Sequence, residues 1–224
     1  MLEDLIKERL KKKENLEKAG VDCYPAKVKR DHKIEEVLKN FLFLSLLKNK
    51  VAIVGRIIAI RCQGGIIFID LYDGSGSMQA VVSKKNFRDF SLYKENIDLG
   101  DFIAVEGTVF KTKAGQKSLQ VDGLTLATKS LRPIPSQWYG IQDEEEKLRK
   151  RYLDILLNPE IRDMFKKRAI FWNSIRGFLI GRDFIEVETP VLENTTGGAD
   201  AKPFVTHHNA LDIDVFLRIS MGEL

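Results

Sequence analysis

Cysteine and histidine are scarce in this chain, with two and three residues among 224. Cys23 and Cys62 lie far apart and form no C-x-x-C pair, which favours reduced thiols over a disulfide framework or a zinc cluster. The histidine pair His207-His208 consists of neighbours. On a strand neighbours face opposite ways, so the two cannot chelate one ion, and no metal site is expected. No apolar run approaches the roughly 20 residues of a membrane helix. The N-terminus "MLEDLIKERLKKKENLEKAG" is amphipathic and rich in acids, unlike a secretory signal or transit peptide, so a cytoplasmic location is expected. G-x-S-x-G, H-E-x-x-H and Walker-type glycine loops are all missing, which removes the commonest hydrolase, metalloprotease and NTPase signatures.

Charge of one sign is also in short supply, with a net of only +4. Its distribution is uneven. Residues 1–50 hold 13 Lys/Arg against 9 Asp/Glu, and the remainder balances at 23 against 23. A solvated helix face accounts for such a run, and a phosphate-contacting arm is the alternative. The content is otherwise that of a globular chain, 44% hydrophobic and 30% charged, with length for two domains.

Residues 2–19 carry Leu2, Leu5, Ile6, Leu10 and Leu16 at mostly helical spacing, and Gly20 follows as a C-cap. A second helix is expected after Asp31 as N-cap, running through "IEEVLKNFLFLSLL". Strand signals take over at 51–61, 66–73 and 77–83, separated by Gly64-Gly65 and by "GSG". A helical stretch is expected over 84–97, then strands at 101–112 and 117–130. Three strands, a helix and two strands give the order of an OB-fold, a five-stranded barrel that binds single-stranded nucleic acid or sugars. Another small barrel would satisfy the strand count, but the helix between strands three and four favours OB.

Residues 131–141, with two prolines and no period, read as a linker. A helix is expected over 142–158 with acids in its first turn, and another over 159–182 with Pro159 at N1. Ile161, Phe165, Ala169, Trp172, Ile175 and Leu179 form an apolar stripe that needs a partner surface. "DFIEVETP" (183–190) alternates as a strand that Pro190 stops. The organisation is an N-terminal helical arm (1–50), a barrel (51–130), a linker (131–141) and a second domain (142–224).

Two constellations carry possible chemistry. Glu186 and Glu188 share one face by period two, as paired acids or as solvated or interfacial ion pairs. On the barrel, Arg56, Phe68 and Gln79 offer planar charge, a π-face and an amide on three neighbouring strands, the set that a splayed base uses. By residue type alone, Phe68 fits the core equally well.

"DLGDFIAVEGTVFKTKAGQKSL", "TKSLRPIPSQWYGIQDEEEKLRKRYLDILLNPEIRDMFKKRA", "FIEVETP" and "GGADAKPFVTHHNALDIDVFLRIS" together resemble the class II lysyl-tRNA synthetases. The likeness runs in unbroken order from about Val51 to Leu224. "RYLDILLNPEIRD" and the last stretch favour lysine over the aspartate and asparagine relatives. The resemblance implies an α+β protein: a five-stranded OB-fold barrel followed by an incomplete class II synthetase α/β domain built on an antiparallel sheet.

It further implies a lysine–tRNA ligase that attaches lysine to tRNA-Lys through lysyl-adenylate. Its partners would be tRNA-Lys, L-lysine and ATP with Mg2+, and it would be a homodimer at full length. The alternative is a non-catalytic OB-fold tRNA-binding module with a dimerisation helix. By resemblance, Arg56, Phe68 and Gln79 bind the anticodon, Phe stacking on the central uridine and Gln hydrogen-bonding to it. Gln116 stands where many relatives have Glu for the wobble contact. Gly198 and Glu223 match lysine-pocket positions, although "RISMGEL" carries one extra residue before that glutamate. Phe184 and Pro190 belong to motif 1, the dimer element. No catalytic residue is assigned: the ATP-clamping arginines and the magnesium carboxylates are expected beyond Leu224, so the 224 residues alone are expected to be inactive.

Overall fold

A computed structural model describes residues 2–135 and 141–220 of the chain. It divides into two compact units, residues 1–143 and 144–224.

Unit 1 is built around a closed barrel of five strands: β1 (Lys50–Gln63), β2 (Ile66–Tyr72), β3 (Ser77–Ser83), β4 (Phe102–Lys111) and β5 (Lys117–Thr128), in spatial order β1-β2-β3-β5-β4. β3 and β5 pair parallel and every other ladder is antiparallel. Alternation explains the closure. Val51, Ile53 and Ile57 point inward with Ile67, Ile69, Leu71, Ala80, Val82, Ile103, Val105, Leu119, Val121 and Leu126, and all are buried. Ala80 apart, each such side chain contributes about 1.5–3 kcal/mol on burial. β1 bulges between Ile57 and Ala59, and the β4–β5 ladder shifts between Glu106 and Gly107. At Gly107 a Cβ would sit 1.8 Å from the Gln120 carbonyl oxygen, so the second shift requires glycine.

Four helices dress the barrel: α1 (Leu2–Lys18), α2 (Ile34–Lys39), α3 (Phe41–Leu47) and α4 (Phe90–Asn96). The long second helix expected from sequence is two short ones, broken at Asn40 (φ −93°, ψ 15°). The cap position is Lys33, not Asp31; the Asp31 carboxylate instead accepts the Ala52 amide at 2.8 Å, pinning the arm to β1. The helix expected over 84–97 is confined to α4, because turns occupy the residues ahead of it.

The basic arm is largely committed to the protein itself. Arg9 is buried and donates to the carbonyls of Leu99, Ser130 and Arg132. Lys12 pairs with Asp98 at 2.7 Å and Lys29 with Glu106 at 2.6 Å. Beneath them Lys129, 0% exposed, donates to Asn96 O (2.8 Å), Asp98 Oδ2 (2.6 Å) and Asp101 Oδ2 (2.8 Å). All three ammonium hydrogens are thus used. Burial alone would raise the Asp98 carboxyl, but the hydrogen bonds from Lys12 and Lys129 outweigh it and hold the group below its usual value. For Asp101 burial prevails and pushes it up, against Lys129 and the amides of Ser130 and Asp98.

Unit 2 comprises α5 (Glu144–Arg149), α6 (Arg151–Leu157), α7 (Pro159–Ile180) and a three-stranded antiparallel sheet ordered β6-β8-β7, from β6 (Leu192–Glu193), β7 (Val205–His208) and β8 (Ile213–Leu217). The single helix expected over 142–158 is interrupted at Lys150 (φ −112°, ψ 44°). α7 begins as expected with Pro159 at N1, and Asn158 Oδ1 caps it by accepting the Glu160 amide at 3.1 Å. The strand expected within 183–190 does not form. That segment joins no ladder, and the paired residues come after Pro190, at Leu192–Glu193. Alternation alone makes no strand without a ladder partner. Arg218 fixes the segment's end by donating to the carbonyls of Thr189 and Pro190 and to the Thr189 hydroxyl.

Candidate nucleic-acid interface

Cross-strand register shows how the barrel's outer face is laid out. The inward residues of β2 are Ile67, Ile69 and Leu71, so Phe68, Asp70 and Tyr72 point outward. Phe68 is half-buried on this outer surface and takes no place in the core. Three rows cross the face. Arg61, Phe68, Val81 and Gln120 form the first; Ala59, Asp70, Gln79 and Ser118 the second; Arg56, Tyr72 and Ser77 the third.

Phe68 and Gln79 are therefore diagonal neighbours, about 7–8 Å apart at the backbone. Arg56 shares the face but not their immediate surroundings. Its partner on β2 is Tyr72, four residues from Phe68, or roughly 13 Å along the strand. Arg56 also pairs across β4 with Phe102, and its guanidinium stacks 4.3 Å from the centroid of that ring. Burial draws its pKa below the ordinary arginine value.

A groove of about 390 Å³ opens beside the second row, lined among others by Ile58, Asp70, Ser77, Gln79, Gln116 and Lys117. Gln116 and Gln79, named separately from the sequence, meet there. Gln79 is only 4% exposed, and its Oε1 accepts from the buried Ser118 hydroxyl at 3.0 Å. With the carbonyl end engaged, the NH2 end is the one available to the groove, a donor pair suited to a carbonyl on a base edge. Lys117 borders the groove from above Phe41, 5.2 Å from the ring centroid, and donates to Leu38 O.

Sequence reasoning missed Asp70, Tyr72 and Arg61 on this face, and Ser118, which orients Gln79. The i, i+2 alternation from Phe68 carries the first two. Arg61 and Ser118 depend on register, which sequence alone does not provide.

In unit 2 the candidate residues are dispersed. Gly198 adopts φ +79°, the left-handed region that favours glycine, within a loop of bends. Glu223 lies outside the described residues. Phe184 is 62% exposed and Pro190 is also exposed. Trp172, Ile175, Leu179, Phe184 and Ile185 line an apolar groove of about 360 Å³ along α7. Glu186 is held at its edge by Arg176 through bonds of 2.6 and 2.9 Å, which draws the carboxyl down, so it is an ion-pair partner and not one of two paired acids. His207 contacts Asp214 at 2.9 Å, while His208 Nδ1 accepts the Leu211 amide at 3.3 Å, the opposed orientation expected of strand neighbours. No described helix is long and apolar enough to cross a membrane.

Comparison with known proteins adds an independent line. Residues 51–127 match the family model for the OB-fold nucleic acid binding domain. Residues 143–222 match that for class II tRNA synthetases of the D, K and N type. The lysine–tRNA ligase of Clostridium kluyveri is 42% identical over 218 residues, covering 96% of this chain and 43% of that protein. That of Moorella thermoacetica is 41% identical over 220 residues (97% and 44%), and that of Carboxydothermus hydrogenoformans 42% over 221 (98% and 45%). The chain spans less than half the length of these curated relatives.

Proposed function

The chain belongs to the class II lysyl-tRNA synthetase family, and on that premise we propose that it forms the anticodon-reading part, and the beginning of the catalytic domain, of a lysine–tRNA ligase. In that activity the lysine carboxylate attacks the α-phosphate of ATP and releases pyrophosphate. The lysyl-adenylate then passes its lysyl group to tRNA-Lys with release of AMP. Cytoplasmic translation is the setting.

The carrying observation is the placing of a half-buried Phe68 diagonal to Gln79, which lines the groove with its carbonyl oxygen held by Ser118, on one face of the barrel. Single-stranded RNA loops are recognised by splayed bases that stack on aromatic rings and hydrogen-bond at their edges. Phe68 supplies the platform for the central uridine and Gln79 the donor to it. Arg56, roughly 13 Å along the strand, serves the neighbouring nucleotide, and Gln116 borders the wobble base.

In unit 2, Gly198 gives the backbone a close approach to lysine, and Glu223 receives its amino group. The apolar groove along α7, with Phe184 on its wall and Pro190 ending the segment, is the two-fold contact of a homodimer. Among the described residues no three His, Cys, Asp or Glu side chains converge on one point.

Fluorescence titration of the chain with a lysine-anticodon stem-loop tests the reading. Phe68→Ala should weaken binding by about 1–3 kcal/mol, the worth of one base–aromatic stack. Equal affinity of variant and parent would refute it.

A further inference from the structure

We infer that Asp70 is a specificity residue of the same face, accepting the N3–H of the central uridine and rejecting cytidine. The inference rests on the anticodon reading above. Asp70 is the direct ladder partner of Gln79 and lines the same groove. It lies two residues beyond Phe68 on β2, about 7 Å along the strand. A base stacked on Phe68 thus presents its edge to the row where Gln79 and Asp70 stand side by side, their Cβ atoms about 5 Å apart.

The chemistry of the two heads matches one edge. Gln79 offers N–H donors, since its Oε1 is taken by Ser118. A carboxylate offers only acceptors. Uracil carries O4, an acceptor, next to N3–H, a donor. Cytosine carries an amino donor next to a bare N3, so both groups would face their own kind: donor against donor at Gln79 and lone pair against lone pair at Asp70. Adenine fails in the same way. Guanine shows the uracil pattern in O6 and N1–H, and only its larger ring distinguishes it.

The plainer role for Asp70 is to pair with Arg61, whose NH2 group donates to Oδ2 at 3.3 Å. That contact is exposed and of little energetic worth. It uses one oxygen. Oδ1 has no protein donor among the described residues, and Arg61 offsets the carboxylate's charge next to an RNA backbone.

The test is titration of the full chain with anticodon stem-loops of tRNA-Lys carrying a central U or a central C. The parent should prefer U by tenfold or more. Asp70→Asn, which can turn an N–H toward cytosine N3, should cut that preference at least tenfold, mainly by tighter binding of the C loop. Asp70→Ala should lose affinity for the U loop and keep only the part of the preference that Gln79 enforces. Arg61→Met should weaken both loops together and leave the U-to-C ratio unchanged. If Asp70→Asn keeps the parental ratio while Phe68→Ala loses binding, the role of Asp70 is refuted and the anticodon reading stands. If the parent itself does not distinguish a lysine anticodon loop from one of scrambled anticodon sequence, both are refuted.

Discussion

Replacing Lys129 by methionine keeps the stem and removes the ammonium. Lys129 is fully buried, and its nitrogen is bonded to the Asn96 carbonyl and to the carboxylates of Asp98 and Asp101. Asp98 retains Lys12, and Asp101 retains the amides of Ser130 (2.7 Å) and Asp98 (2.8 Å), but Asp101 keeps a buried charge with no cation against it. Removing one partner of a buried pair costs about 3–5 kcal/mol. For a unit of this size that lowers the melting temperature by roughly 10–20 °C. Urea titration read by hydrogen exchange of β4 and β5 amides separates this unit from the other. Adding Asp101→Asn to Lys129→Met should recover part of the loss, because the orphaned charge is gone. A Lys129→Met protein within about 1 kcal/mol of the parent would refute the view that this cluster fastens the arm to the barrel, given the size expected of a buried pair.

Acid should loosen the arm. Asp31, Asp73 and Asp98 all sit below their ordinary values, because hydrogen bonds from His32 and Ala52, from Ser75, Ile34 and Gly76, and from Lys12 and Lys129 outweigh the opposing effect of burial. A depressed carboxyl contributes stability above its unfolded pKa, about 4, and loses it as pH falls through the folded value. Asp101 is raised and has the opposite slope, but it is outnumbered by these three and by Glu35, which its hydrogen bond with Lys39 draws down. Unfolding titrations of unit 1 should therefore show stability falling below about pH 4, with a shallower fall in Asp73→Asn; an unchanged slope in that variant would contradict the assignment. Gly107→Ala should destabilise the barrel by about 1–3 kcal/mol or more, because its Cβ meets the Gln120 carbonyl carbon at 2.8 Å as well as the oxygen. Gly123→Ala, whose nearest neighbour would be Glu106 Cβ at 3.7 Å, should be near neutral, and similar urea midpoints for the two would refute the argument.

The barrel was legible in the sequence because β-branched alternation and glycine turns act locally. β3 coincides with the expected 77–83, and the other strands differ by a few residues at their ends. The two helix breaks, at Asn40 and Lys150, were not legible. Neither residue is a glycine or proline, and both flanking stretches keep a helical composition. "DFIEVETP" misled for a related reason: it has a strand's alternation, but no neighbouring strand pairs with it among the described residues. On the interface, residue type found Phe68 and Gln79, while only register brings them to one diagonal and leaves Arg56 beside Tyr72. Lys129 escaped notice entirely, since a lone lysine after a strand gives no sign that two aspartates about thirty residues upstream enclose it.

The most direct test of the account is chemical-shift mapping of the full chain on addition of a tRNA-Lys anticodon stem-loop. Shifts should concentrate on Phe68, Asp70, Tyr72 and Gln79, with Gln116 and Lys117 at the groove's edge, and should reach Arg56. The surface formed by α1 and α4 should stay unperturbed. Perturbations centred on α1, with the outer face of β2 and β3 silent, would contradict the central claim.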